Sequence, residues 1–505
     1  MTSTAQATFD HGQTTFDYVI LGAGAAGCVL AERLSARPDA TVLLLEAGPA
    51  AADPRIGAPE RWAELQGSAY DWAFKTEPQP GLDGRALGWP RGRVLGGSTA
   101  MNCMVFLRGT AADYDAWVAH GGTGWGYAAL RPHFDRVEAA AVGQPGLAVA
   151  HPTEGHPWSA EYAAAATAAG FTENPDFNRH GTHGFGYYPV SRNAAGRRSA
   201  VEGFLGLAAG RRNLTVRTGC EAQRLIAEHG RVVGVDYREG GTARSAFAGR
   251  EVILAAGAVA SPLLLLRSGI GPADELRRLG LDVLADLPGV GANLHDHLAV
   301  SVGYRSTRTD PVATRAGLSE VGVFADADGA PLSGPDARPA VHAWLAPGTA
   351  EDGRSFGLGV GITSPYSRGR ITLADGSGGA PRIDGGYLTD ERDLANLSAG
   401  YRLVWELMQQ APLAALRASG DGPAPDDEAA VTAFVRANAS TQFHPVGTCR
   451  LGTDDNAVVD AELRVRGVDG VRVADASVIP AITSGGPQAP VYALASRAAE
   501  ILGAA

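Results

Sequence analysis

Apolar and polar positions alternate with two different periods along this chain. "FDYVILGAGAAGCVLAERL" (16–34) opens on an apolar run, Phe16 to Leu21, that reads as a buried strand. A glycine cluster follows, and then Val29, Leu30 and Leu34 fall on one helical face. "TVLLLEAG" (41–48) reads as a second buried strand, and "EVILAAGAVASP" as another that breaks at Gly257. "AVHAWLA" (340–346) and "FGLGVGIT" (356–363) have the period-two alternation of half-buried strands. Near the end, Val491, Leu494, Ala495, Ala498 and Leu502 share a helix face, with Pro490 placed to be its first residue. Strand–helix units early and alternating strands later predict an α/β (α+β overall) protein with a Rossmann-type domain and a second, sheet-based domain.

The chain has 505 residues, which implies more than one domain. Its 45% hydrophobic and 19% charged residues fit a soluble globular protein, and its 67 glycines imply many tight turns. The net charge of −11 argues against nucleic acid, which needs a basic face. An acidic balance leans toward a cationic substrate, although a plain solvated acidic surface accounts for most such balances. The four cysteines, Cys28, Cys103, Cys220 and Cys449, lack metal-ligand spacing, and their scarcity fits a reducing compartment. No basic-then-apolar leader and no apolar run long enough for a membrane span is visible. The expected location is cytoplasmic. No sequence signal specifies an oligomeric state.

Gly22-Ala23-Gly24-Ala25-Ala26-Gly27 is G-x-G-x-x-G between a strand and a helix. Gly22 permits the turn, Gly24 lets a pyrophosphate approach the backbone, and Gly27 lets helix and strand pack closely. The helix start offers free N–H groups and a positive dipole end. Glu46, 24 residues after Gly22, stands where an acid binds ribose hydroxyls, and it disfavours the 2′-phosphate of NADP. The motif alone does not separate FAD from NAD, and an NAD-dependent dehydrogenase would rest on it alone.

Further stretches are "GRVLGGSTAMNCMVFLRG" (92–109), "GREVILAAGAVASPLLLLRSGIGP" (249–272), "LPGVGANLHDHL" (287–298), "STQFHPVGTC" (440–449) and "GVRVADASVIP" (470–480). Together, and in this order, they resemble the glucose–methanol–choline family of FAD-dependent oxidoreductases; residues 300–435 match only loosely. The resemblance implies FAD, held by Gly22, Gly24, Ala25, Ala26, Gly27 and Glu46. It adds Arg93, Gly97, Ser98, Asn102, Met104 and Val105 from the second stretch, with Asn102 beside the isoalloxazine. It further adds Ala222 near the adenine, Ala256, Asp475, Ala476, and Ala489 with Pro490 at the start of the last helix. That helix start would face the flavin pyrimidine ring. Asp475 either reaches the phosphate–ribityl region or caps a turn, and both can hold. Members that bind FAD covalently carry a histidine where this chain has Met101, so non-covalent FAD is expected.

The same resemblance makes His444 the base that takes the alcohol proton, a task that suits an imidazole near neutral pH. Where the family has a second Asn or His, this chain has Gln488, in Ser484-Gly485-Gly486-Pro487-Gln488-Ala489-Pro490. An amide donates a hydrogen bond but cannot act as a base, so either Gln488 orients the substrate oxygen or it turns away and the activity is altered. His295 and His297 flank Asp296 without further ligands, so no metal is expected. His295 stands where Gln is usual.

The implied cofactor domain spans 1–155, 195–300 and 440–505, and the substrate domain 156–194 and 301–439. The polar segment 307–322 reads as a loop over the site. The implied reaction is oxidation of a primary alcohol to an aldehyde, with O2 or another electron acceptor. Relatives take sugars, choline, aryl and alkyl alcohols and amino sugars, and the acidic charge leans toward a polyol or aminoglycoside-like amino sugar. The alternative is a non-redox, hydroxynitrile-lyase-like enzyme in which FAD is structural. Light-driven decarboxylation conflicts with retention of His444.

Overall fold

The computed structural model describes residues 15–139, 144–152, 155–193, 196–309, 319–334, 337–347, 353–376 and 380–504. Residues 1–14 and most of the polar 307–322 segment lie outside the described residues. In chain order the elements that frame the site begin with β1 (Thr15–Leu21), α1 (Ala25–Ser35), β2 (Val42–Leu45), β3 (Gly184–Tyr187), β4 (Leu214–Arg217), β5 (Cys220–Glu228), β6 (Arg231–Glu239) and β7 (Thr242–Leu254). They continue with α2 (Gly257–Arg267), β8 (Leu298–Ser306), β9 (Val321–Ala325), β10 (Val341–Pro347), β11 (Ser355–Ile362), α3 (Glu391–Gln409), β12 (Arg417–Gly420), β13 (Ser440–Thr441), β14 (Val471–Val473) and α4 (Gln488–Ile501).

Two sheets carry the molecule. The first runs β4-β2-β1-β7-β6-β5, with β14 also paired to β7. Strands β4, β2, β1, β7 and β14 are parallel. β6 is antiparallel to both β7 and β5. β2 is buried along its whole length, as the continuous apolar run of a parallel strand covered on both faces requires. The carboxyl ends of β1, β2, β7 and β14 lead into Gly22, Glu46, Ala255 and Ala474, so four loops open at one edge of the sheet. That edge is where open α/β sheets bind ligands.

The second sheet is antiparallel, in the order β12-β8-β11-β10-β9-β3, with β13 paired to β8. One face packs on α3, where a Cβ on Gly400 would stand 2.6 Å from Val360. This close approach explains a glycine in mid-helix. The sheet draws on Leu298 and on Ser440–Thr441, across positions 300 and 440 where the sequence reading divides the chain. Through β13 the segment that leads to His444 is hydrogen-bonded directly to this sheet. The strands expected at "AVHAWLA" and "FGLGVGIT" are β10 and β11.

Candidate active site

A cavity of about 1390 Å³ lies between the sheet edge and the second sheet. Small-molecule sites usually span ~300–1,000 Å³, so there is room for an extended dinucleotide and a substrate together. Gly22, Gly24, Ala25, Ala26, Glu46, Gly97, Ser98, Asn102, Met104, Val105, Ala222, Ala256, Asp475, Ala476, His444 and Gln488 all line it. Among the residues expected from the sequence to hold the cofactor, Gly27, Arg93, Ala489 and Pro490 do not.

The glycines are placed by contact as well as conformation. Gly22 has φ +98°, and a Cβ there would stand 2.7 Å from the Ala255 carbonyl. Gly27 packs its α-carbon against the Gly22 carbonyl, which fixes α1 on the turn. Gly97 has φ +53°, and a Cβ there would lie 2.8 Å from the Gly24 α-carbon. The two glycine loops therefore touch. No side chain caps α1 at Gly24, so its first N–H groups keep their capacity for an outside acceptor. Glu46 accepts from the Ala23 and Gly48 N–H groups, one on each oxygen, at 2.9 and 2.8 Å. Each oxygen keeps a further lone pair, as two ribose hydroxyls would need. Burial pushes this carboxyl's pKa up.

Two expectations change in detail, and for Asp475 the capping role is filled while the residue still lines the cavity. Arg93 does not reach the cavity; its guanidinium lies 5.0 Å over the Trp72 ring and 3.7 Å from Glu221. It backs two residues that do line the wall. Pro490 is the third residue of α4, not the first, because the helix starts at Gln488 with Pro487 as its cap. Its missing N–H costs nothing there, since first-turn N–H groups have no intrahelical acceptor. Asp475 adopts the capping alternative: it accepts from Gly257 N–H and Ser261 Oγ on one oxygen and from Ser477 N–H and Oγ on the other. Those four donors fill a carboxylate's usual acceptor sites, and burial raises its pKa.

At the far end of the cavity stands His444. Asp296 accepts its backbone N–H at 2.7 Å. The same carboxylate accepts from Tyr387 Oη at 2.6 Å and from Thr441 Oγ1, so the Tyr387 and Thr441–His444 segments are pinned around one buried acid. His444 Nδ1 lies 3.0 Å from His297 Nδ1, with the rings edge to face. His297 Nε2 lies 3.0 Å from the Thr363 carbonyl. A carbonyl only accepts, so His297 Nε2 carries a proton. Burial pushes the His297 pKa down to about 4, so its Nδ1 is bare at neutral pH. His444 Nδ1 must then be the donor, which leaves the His444 Nε2 lone pair free. Burial, then His297 and then Arg91, holds His444 well below the ordinary histidine range, so this nitrogen is unprotonated at neutral pH. Gly486 makes room for it: a Cβ there would lie 3.0 Å from His444 Nε2.

Gln488 sits in a second network. Its Oε1 accepts from Asn102 Nδ2 at 2.9 Å, and its Nε2 donates to Ser191 Oγ at 3.0 Å. Arg197 Nη1 donates to both the Asn102 carbonyl and Oδ1, at 2.6 and 2.8 Å. One Nε2 proton of Gln488 stays available to a ligand. His295 is a structural histidine: Nε2 accepts from Ile482 N–H and Nδ1 meets the Asn293 carbonyl. Among the described residues no cluster is arranged to hold a metal ion. The sequence reading missed Asp296 and His297 as partners of His444, and Arg197 and Ser191 as partners of the amide pair. "NLHDHL" drew the eye to His297, but its partner is 147 residues away.

GMC oxidoreductase family models match residues 16–299 and 365–495. The chain belongs to the GMC oxidoreductase family. It is similar to an alcohol dehydrogenase [acceptor] of Pseudomonas putida, 37% identical over 96% of this chain and 95% of the relative. It is likewise similar to the oxygen-dependent choline dehydrogenase of Photobacterium profundum, 36% identical over 97% and 93%. Its fold matches the crystal structure of pyridoxine 4-oxidase from Mesorbium loti with a TM-score of 0.90, at 34% identity over 96% and 98% of the two chains. As a GMC oxidoreductase it is an FAD-dependent enzyme acting on CH–OH donors. The touching glycine loops, the uncapped α1 terminus and the two spare lone pairs of Glu46 fit that cofactor.

Proposed function

We propose that this GMC oxidoreductase oxidises a primary alcohol to an aldehyde, with His444 as the base and non-covalently held FAD as the electron acceptor. Bound FAD supplies a two-electron acceptor for the hydride that leaves the carbinol carbon. The observation that carries the reading is the proton order along Thr363, His297 and His444. It leaves His444 Nε2 bare, beside Gly486, at the cavity wall. His444 Nε2 takes the alcohol proton as the C–H bond gives up its hydride. The Gln488 Nε2 proton not used by Ser191 donates to the alcohol oxygen and orients it. Asn102 and Arg197 hold that amide in place.

On this reading Gly22, Gly24, Ala25 and Ala26 receive the pyrophosphate, with Gly97 and Ala256 packed against them, Glu46 the ribose, and Ala222 the adenine end. Ser98, Asn102, Met104, Val105 and Ala476 line the flavin side. Met101 offers no nucleophile for a covalent link. The test is anaerobic: a panel of primary alcohols is added to the purified yellow enzyme and bleaching of the flavin band is followed. Bleaching by one alcohol class, absent in His444→Ala with FAD retained, supports the reading. A yellow enzyme that no alcohol bleaches overturns it in favour of non-redox acid–base chemistry at His444. Admitting air to the bleached enzyme separates O2 from other acceptors.

A further inference from the structure

The wall facing the cavity opposite the cofactor loops has an unusual construction. In β11, Phe356, Leu358 and Val360 point to the buried side, and the opposite face carries Ser355 at its start and then only Gly357, Gly359 and Gly361. The strand register sets His342 and Ala299 beside Gly361, and Trp344 and Ser301 beside Gly359. His342, Trp344, Ala299 and Ser301 all line the cavity. The glycines do not; Trp344 lies across Gly359 and Gln442 across Gly361. A Cβ on Gly359 would meet the Trp344 indole, with Nε1 2.7 Å away, and one on Gly361 would meet the Gln442 amide. A strand stripped of side chains on one face is costly as a strand. Here it lets an indole lie flat along the sheet.

The neighbouring imidazole is locked in the same wall. His342 stacks on Phe324, with centroids 4.2 Å apart and planes 6° from parallel. Its Nε2 is 2.6 Å from Tyr188 Oη, and its ring centroid is 5.3 Å from that of Trp344. Burial pushes the His342 pKa down to about 3, so this ring is neutral at working pH. The result is two uncharged rings, tilted 43° to each other, that line the same cavity as His297 and His444.

We infer that Trp344, laid over Gly359 and flanked by His342, is the specificity-determining surface, and that it selects a planar aromatic or heteroaromatic primary alcohol by stacking. The inference rests on the alcohol-oxidising reading above and narrows it. It replaces the lean toward an amino sugar, which came from the range of family substrates and the acidic charge, with a preference set by the wall itself. An indole offers an extended ring face to another planar ring, and an offset stack adds to simple burial.

The experiment compares benzyl alcohol with cyclohexylmethanol, which has the same carbon skeleton without the planarity. Binding is measured by flavin difference spectra on the FAD-loaded His444→Ala enzyme, where turnover is not needed. Benzyl alcohol is expected to bind about tenfold more tightly, the upper range of an aromatic pair. That ratio should collapse toward one in Trp344→Ala and survive in Trp344→Phe. It should also collapse in Gly359→Ala, where the new methyl displaces the indole without deleting it. Equal binding of the two alcohols, tighter binding of choline or an amino sugar, or a ratio that survives Trp344→Ala would overturn the inference. Flavin bleaching of the unmodified enzyme is read separately: a binding contrast without bleaching upholds the stacking wall and removes only the redox reading.

Discussion

The two ends of the cavity are built by different means. The cofactor end is mostly backbone: Gly22, Gly24 and Gly97 come from short contiguous motifs, and a single carboxylate, Glu46, sits at the end of a neighbouring strand. The catalytic end is mostly side chains drawn from far apart, with His444 joined to His297, Asp296 and, through the second sheet, Trp344 and His342. A backbone cradle is written in sequence as glycines at fixed spacing. A side-chain constellation is written only in the fold, because its proton order and its burial depend on partners a hundred or more residues away.

This contrast can be broken in order of expected effect. Removing the proposed base is the severest change: His444→Ala should lower the rate of flavin reduction by about 10²–10⁴-fold while the bound FAD per chain stays the same. Stopped-flow bleaching with absorbance-based FAD counting checks both halves. His297→Ala should cost about 10–100-fold, since it removes the acceptor that fixes the His444 tautomer. A changed acid limb in its pH profile would mark this as positioning rather than structural damage.

At the cofactor end the signature reverses. Gly22→Ala puts a methyl 2.7 Å from the Ala255 carbonyl in a left-handed conformation. It should cost ~1–3 kcal/mol and appear as FAD loss on gel filtration, with the fraction that keeps FAD still reacting at a near-normal rate.

The pH dependence sharpens the comparison. The folded pKa of His444 lies well below 6.5, so the base stays deprotonated as pH falls through 6.5. Protonation, and with it loss of activity, comes only at clearly lower pH. The rate of flavin reduction should therefore be flat across pH 6–8, and an inflection near 6.5 would count against the buried, His297-paired imidazole. The smallest effect is expected at Arg93→Ala, about 0.5–1 kcal/mol in FAD affinity, because the guanidinium backs the wall without reaching the cavity.

Some of this was readable before any fold. The strand, glycine turn, helix and acid of residues 16–46 specify a nucleotide cradle because backbone geometry and residue spacing are local properties. The alternation in "FGLGVGIT" announced a strand, and Gln488 announced a departure at the second catalytic position. Asp475 was legible as an acid at a turn, yet only its four protein donors decide that its acceptor sites are filled from within.

The sequence, through its spacing and its family resemblance, determined the cofactor class and the two-sheet architecture and singled out His444 among the histidines. Only the tertiary structure decided which His444 nitrogen is bare, what holds Gln488, and what lies over the glycines of β11. The reason is physical. Spacing along a chain encodes local conformation, whereas a tautomer, a buried hydrogen-bond network and a stacked ring are fixed by contacts that close only when distant segments meet.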